Sequence, residues 1–87
     1  MRLLRELSAS ENNIVDISPV IDFEELRELY LNANRIRDIR PIRDNPGIND
    51  GDLVRIDDND LDCTDPAVSG QIEALELRGV VLVHDCD

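Results

Sequence analysis

The residues that could carry chemistry gather in the second half of the 87-residue chain: Cys63, His84, Cys86 and the run Asp57-Asp58-Asn59-Asp60-Leu61-Asp62. A zinc site asks for four tetrahedral donors, or for three and a water. Two cysteines and the only histidine fall short as such a ligand set. Asp58, Asp60 and Asp62 hold three alternate positions of an EF-hand calcium loop. Cys63 stands where that loop needs its glycine, and Ser69 where it needs its bidentate glutamate, so the motif fails. An adventitious calcium site is what remains of it. Catalysis has as little support. No nucleophile elbow, phosphate loop or zinc-protease motif occurs, and His84 has no evident cysteine or serine partner. The chain reads as no enzyme and calls for no cofactor.

The two cysteines allow two readings. Free cysteines behave as small core residues, and in a reducing cytosol they stay thiols. A bond between Cys63 and Cys86 instead closes a segment of 24 residues, both ends included, and would stabilise by about 2–4 kcal/mol. An oxidising compartment decides for the bond.

The element that must position everything else is Leu26-Arg-Glu-Leu29-Tyr-Leu31-Asn-Ala-Asn34-Arg-Ile36. Leu29 and Leu31 alternate inward as a strand does. Asn34 falls where the chain bends away, and an inward asparagine there can bond backbone groups that the bend leaves without partners. Ile36 returns to the core. A unit of this kind cannot bury its face alone and must recur. Leu4-Arg5-Glu6-Leu7, Asn12, Ile14, Asp16, Ile17 and Pro19 return 22 residues later as Leu26-Arg27-Glu28-Leu29, Asn34, Ile36, Asp38, Ile39 and Pro41. A degenerate third copy, Val54, Ile56, Asn59 and Leu61, follows at an interval of 25, with the extra residues in the turn-rich run Asn45 to Gly51. Asn12, Asn34 and Asn59 are therefore expected to be buried and bonded to backbone. Strands are expected near Ser8, Tyr30, Arg55 and Leu82.

On the other side of the coil, Ser18 before Pro19 reads as a helix N-cap, with a short helical or 3-10 turn over residues 21–25. Phe23 fills the core beneath it. Arg35, Arg37, Arg40 and Arg43 with Asp38 and Asp44 read as a solvated back face of local ion pairs rather than an anion-binding strip. Asp65 and Pro66 open a helix whose Val68, Ile72 and Leu75 share one face. Gly79 ends it, and Val80 to Val83 form a last strand. His84 reads as a surface residue.

The string L-x-x-L-x-L-x-x-N-x-I resembles the leucine-rich-repeat unit. Asn34-Arg-Ile36-Arg-Asp38-Ile39-x-Pro41 resembles the 22-residue class found in internalin-like bacterial surface proteins and in the phosphatase-1 regulatory subunit. The segments Asn45 to Cys63 and Leu75 to Cys86 look like the end of many bacterial proteins of this kind. The resemblance implies an α/β leucine-rich-repeat solenoid with parallel strands on the concave side and short helical or 3-10 turns on the convex side. It implies repeats at about 4–25, 26–52 and 53–65, and a C-terminal helix–strand cap at 66–87, all one domain over 1–87. Asp60 departs from the pattern where proline is common. No capping segment precedes Leu4, which is read as an N-terminal truncation with repeats lost upstream. The apolar rim Leu3, Leu4, Leu7, Ala9 and Ile14 then predicts self-association through that end.

In such a strand the variable residues point onto the concave sheet: Glu6, Ser8 and Ser10; Glu28, Tyr30 and Asn32; then Leu53, Arg55 and Asp57. Tyr and Arg dominate interface hot spots, so Tyr30 and Arg55 are the expected anchors for a protein or peptide ligand. Formal net charge is −11, and most of it falls after residue 43, which argues against nucleic acid. No run is long and apolar enough to insert in a membrane. As part of a longer bacterial protein the chain would sit outside the cell or on its surface. Two other readings stand beside recognition: a purely structural end of a longer array, and, by family analogy, a regulatory subunit of a phosphatase or kinase.

Overall fold

The computed structural model describes residues 4–86, so Met1 to Leu3 and Asp87, with the parts of the domain and rim assigned to them, lie outside it. Strands β1 (Glu6–Ser8), β2 (Glu28–Tyr30), β3 (Leu53–Arg55) and β4 (Val81–Val83) form one parallel sheet in chain order. Alternation explains which face each residue takes. Leu29, Leu31, Val54 and Ile56 are buried, while Tyr30 and Arg55 face out and are only half-covered. Leu7, Leu29, Val54 and Leu82 share one rung. The first three strands thus centre on the inward residue, one position before the Ser8, Tyr30 and Arg55 expected from sequence. Parallel strands need crossovers, and here each crossover is the back half of a coil.

The back halves carry a 3-10 turn at Ser18–Asp22 and helix α1 at Arg40–Arg43, each with proline in its first turn. The expected Ser18 cap and the turn over 21–25 are corrected. Ser18 lies inside the turn, which begins three residues early, and no side chain caps it. Aspartate does the starting work instead. Asp16 Oδ1 accepts the Ser18 N–H at 2.9 Å, Asp38 Oδ1 accepts Arg40 N–H at 2.9 Å, and Asp62 Oδ1 accepts Thr64 N–H at 3.0 Å. These are Asx turns, which bend the backbone just before each proline.

Hydrogen bonds to neighbours two residues on hold all three carboxyls below their ordinary value. The cause is the Ser18 N–H for Asp16, the Arg40 guanidinium and then its N–H for Asp38, and the Thr64 hydroxyl and then its N–H for Asp62. A carboxyl whose folded pKa is depressed stabilises fully above its unfolded value and loses that as pH falls through the folded one. Urea midpoints are therefore expected to hold between neutral pH and about pH 5, then fall below about pH 4. In a protein carrying Asp16→Asn, Asp38→Asn and Asp62→Asn the acid limb should be shallower. Identical acid limbs in the two proteins would exclude this account.

Between sheet and back face runs one apolar core from Ile17 and Val20 through Leu26, Leu29, Leu31, Ile36, Ile39 and Ile42 to Val68, Ile72, Leu75 and Val80. Helix α2 (Pro66–Leu77) opens with Asp65 accepting from Ala67 N–H at 2.9 Å, and Gly79, at φ 85°, follows its C-cap residue Arg78. Left-handed backbone at that point suits glycine. Val68, Ile72 and Leu75 turn inward as their spacing asks, and Gln71 is buried with them.

Asparagines join one coil to the next. Asn34 Nδ2 donates to Ala9 O at 2.9 Å and to Leu31 O at 3.0 Å, and its Oδ1 accepts Ile14 N–H at 3.1 Å. Asn59 repeats this one coil on, donating to Leu31 O at 2.9 Å and Ile56 O at 3.0 Å and accepting Ile36 N–H at 3.0 Å. The residue before each asparagine, Glu11, Ala33 or Asp58, turns the corner with φ near +60°. Asn34 is buried and Asn59 half-buried, but Asn12 is exposed, against expectation. It bonds only Ala9 O and Ser10 O in its own coil. The cross-coil half of the pattern needs a preceding coil, and none lies among the described residues.

Two further ties escaped the sequence reading. Asn45, placed in a turn-rich run, is fully buried; its Nδ2 donates to Val20 O and Phe23 O at 2.9 Å, and its Oδ1 accepts Gly47 N–H at 2.8 Å. A side chain on Gly47 would strike the Glu24 carbonyl, so glycine is required where the two coils touch. From the far end, the Arg78 guanidinium donates to Asn45 O at 3.3 Å, to Ile48 O at 3.2 Å and to Arg43 O. The last of these belongs to the C-terminal turn of α1, whose carbonyls have no helical partner.

Candidate protein-binding face

The strand register places the outward side chains in rows. Glu6, Glu28, Leu53 and Val81 make one row; Ser8, Tyr30, Arg55 and Val83 make the next. Ser10, Asn32 and Asp57 extend the alternation past the strand ends. There Ser10 Oγ donates to Asn32 Oδ1 at 2.7 Å across the coils. All eight polar residues expected on this side are exposed or half-buried, and none enters the core.

Their bonding is largely internal. Tyr30 Oη donates to Glu28 Oε1 at 2.6 Å, which raises the tyrosine pKa, chiefly because the phenolic proton is held by that carboxylate. The Arg55 guanidinium grips Asp57 through Nε at 3.2 Å and Nη2 at 2.8 Å, and that pairing raises the arginine pKa. The two expected anchors are thus held in fixed orientations beside each other, Tyr30 and Arg55 being register partners. A side chain ordered before contact loses less entropy on binding.

The sequence reading missed Val81 and Val83, which stand in the same rows and are 53% and 37% exposed. Read only as a closing strand, Val80 to Val83 gave no hint of which residues would face out. The signal was available in the alternation about Leu82, its half-buried centre.

The back face shows local pairing. Arg40 meets Asp38 at 2.7 Å, Arg43 meets Asp44 at 2.9 Å and Arg35 meets Asp60 at 3.9 Å, all well exposed to solvent. The acidic run is dispersed among such tasks: Asp57 to Arg55, Asp60 to Arg35 and Asp62 to its turn. Among the described residues no group of three or more His, Cys, Asp or Glu is arranged to hold a metal ion.

Cys63 and Cys86 are joined by a disulfide, with Cα atoms 5.2 Å apart. It links the loop after β3 to the third residue past β4. His84 is not the surface residue expected, since its side chain is only 10% exposed. Its Nδ1 accepts the Cys86 N–H at 3.0 Å and its Nε2 faces Glu76 Oε2 at 3.3 Å. That arrangement needs the tautomer with the proton on Nε2. Close by, Asp85 Oδ2 accepts Asp58 N–H at 2.6 Å. A carboxylate there takes the place held by Asn32 and Asp57 carbonyls in the coils before it, which accept from Glu11 and Ala33.

No described helix is long and apolar enough to cross a membrane. Residues 2–44 match the family model for leucine-rich repeats in two copies. A search of curated proteins finds no match. Among solved structures, the crystal structure of an internalin C2 from Listeria monocytogenes is similar, with TM-score 0.69 and 23% identity over 94% of this chain. The chain spans 32% of that structure's length. Two matched repeats, a third coil in register with them and this similarity give the chain a leucine-rich-repeat solenoid fold like that of the internalin.

Proposed function

We propose that the chain is a protein-recognition module, not an enzyme, whose ligand is a protein or peptide lying across the outward, concave face of the sheet. The observation that carries this is the pair Tyr30 and Arg55. They are side by side at the middle of the face, each pre-set by its own carboxylate. Around them Glu6, Ser8, Ser10, Glu28, Asn32 and Asp57 form the rest of the contact surface. The disulfide fits a protein that folds in an oxidising compartment, outside the cell or on its surface.

In a partner isolated by affinity capture, Tyr30→Ala is expected to weaken binding by about 30-fold, the loss of about 2 kcal/mol that marks a hot spot. Thermal stability should hardly change, because the ring is not in the core. Arg37→Ala, on the back face, should leave affinity as it was. The opposite pattern, loss with Arg37→Ala and none with Tyr30→Ala, would move the binding site to the convex side. A partner whose affinity responds to neither would favour the purely structural role.

A further inference from the structure

We propose that the outward face takes a peptide segment carrying an aliphatic side chain flanked by Lys or Arg; this rests on reading the face as the recognition surface. The face is graded in two directions. At the β3–β4 end Leu53 and Val81 are register partners, and Val83 stands two residues along the strand from Val81. Neighbouring strands lie about 4.8 Å apart, so these three side chains make one continuous apolar patch. Val81 at 53% and Val83 at 37% exposure are open to solvent. Fully exposed valines cost nothing singly, but a contiguous group beside polar rows marks a contact site.

Acids surround that patch. Glu28 is the register partner of Leu53, and Glu6 is the partner of Glu28. Asp85 follows Val83 by two residues and is exposed. Arg55 is the one cation among the outward strand residues, and Asp57 already neutralises it through two hydrogen bonds. Glu28 meets no cation among the described residues; Tyr30 donates a hydrogen bond to it. What the face offers an incoming chain is therefore an aliphatic centre with uncompensated negative charge on both flanks.

An acidic ligand would meet like charge at close range, and so would an anionic membrane or a second copy of this face. A basic one gains steering from the net charge of −11. Apolar contact at the centre then sets the lifetime of the complex, and the charged flanks set its rate of formation and salt dependence.

The test selects random short peptides, displayed on phage, against the full oxidised chain at low salt. The best sequences are then synthesised and titrated in solution. The expected sequences combine Leu, Ile or Val with Lys or Arg. Their affinity should fall about tenfold on Val81→Ser at every salt concentration. With Glu6→Gln and Glu28→Gln together, affinity should fall at low salt and the loss on going from about 0.1 M to about 1 M salt should flatten. Acidic or uncharged sequences, an unchanged salt dependence in the glutamine variant, or a library yielding no binder would each overturn the proposal. The underlying reading is judged separately. If Tyr30→Ala abolishes binding while the Val81 and glutamine variants do not, the face is a recognition surface for a different chemistry. If Tyr30→Ala has no effect either, the face itself is wrong.

Discussion

Arg78→Ala is expected to lower folding stability by about 3 kcal/mol, the net worth of hydrogen bonds from a charged donor to half-buried carbonyls, of which, among the described residues, Asn45 O alone keeps a backbone partner, the Ile48 N–H. One guanidinium serves three carbonyls, those of Arg43, Asn45 and Ile48. They lie on the strand of chain that leaves α1, and Arg78 itself terminates α2. Removing it takes away a polar tie between the last helix and the middle coil and leaves their shared apolar core in place. The loss stays below the sum of three charged bonds, because water reaches some of the half-buried acceptors once the side chain is gone. Arg78→Lys should recover only part, since an ammonium cannot span three acceptors that a planar fork reaches together. Urea unfolding monitored by circular dichroism measures both variants. A change below about 1 kcal/mol for alanine would mean that water replaces the guanidinium at little cost.

The second large effect belongs to the asparagine series, where position in the stack sets the cost. Asn34→Ala strands the Ile14 N–H at a buried corner and takes one donor each from the Ala9 and Leu31 carbonyls, which keep Asn12 and Asn59, and should cost about 1–3 kcal/mol. Asn12→Ala removes two bonds at an exposed site and should cost no more than about 0.5 kcal/mol. Same residue type, same place in the repeat, different loss: the contrast isolates the cross-coil bonds from the local ones. Equal losses at the two positions would show that the asparagine acts within its own coil only.

The difference between Asn12 and Asn34 also shows what the sequence could and could not tell. Leu29 and Leu31 were legible because alternation is written in the side chains themselves, and so was the coil that repeats them. Burial of an asparagine is a property of two coils at once, which a single repeat cannot display. Asn45 and Arg78 were invisible for a different reason: their partners are carbonyls, which every residue carries, so no pairing of residue types betrays them. Asp16 and Asp38 were seen to recur, yet Ser18 looked the better cap because serine before proline commonly is one. On the outward face, Tyr30 and Arg55 stood out by type. Val81 and Val83 did not, because valine in a final strand looks like core until the register is known.

Equivalent rungs of the sheet advance by 22, then 25, then 28 residues. In contrast, Leu7 to Asn12, Leu29 to Asn34 and Val54 to Asn59 are all the same five steps apart. Every added residue therefore lies between an asparagine and the next strand, on the side away from the outward rows. A lineage built on this plan can gain or lose length there by small insertions and deletions that leave the sheet in register. The outward side has no such freedom, since one residue more or less would turn each outward side chain into the core. Drift in length and selection on contact are thus kept on opposite sides of the same coil.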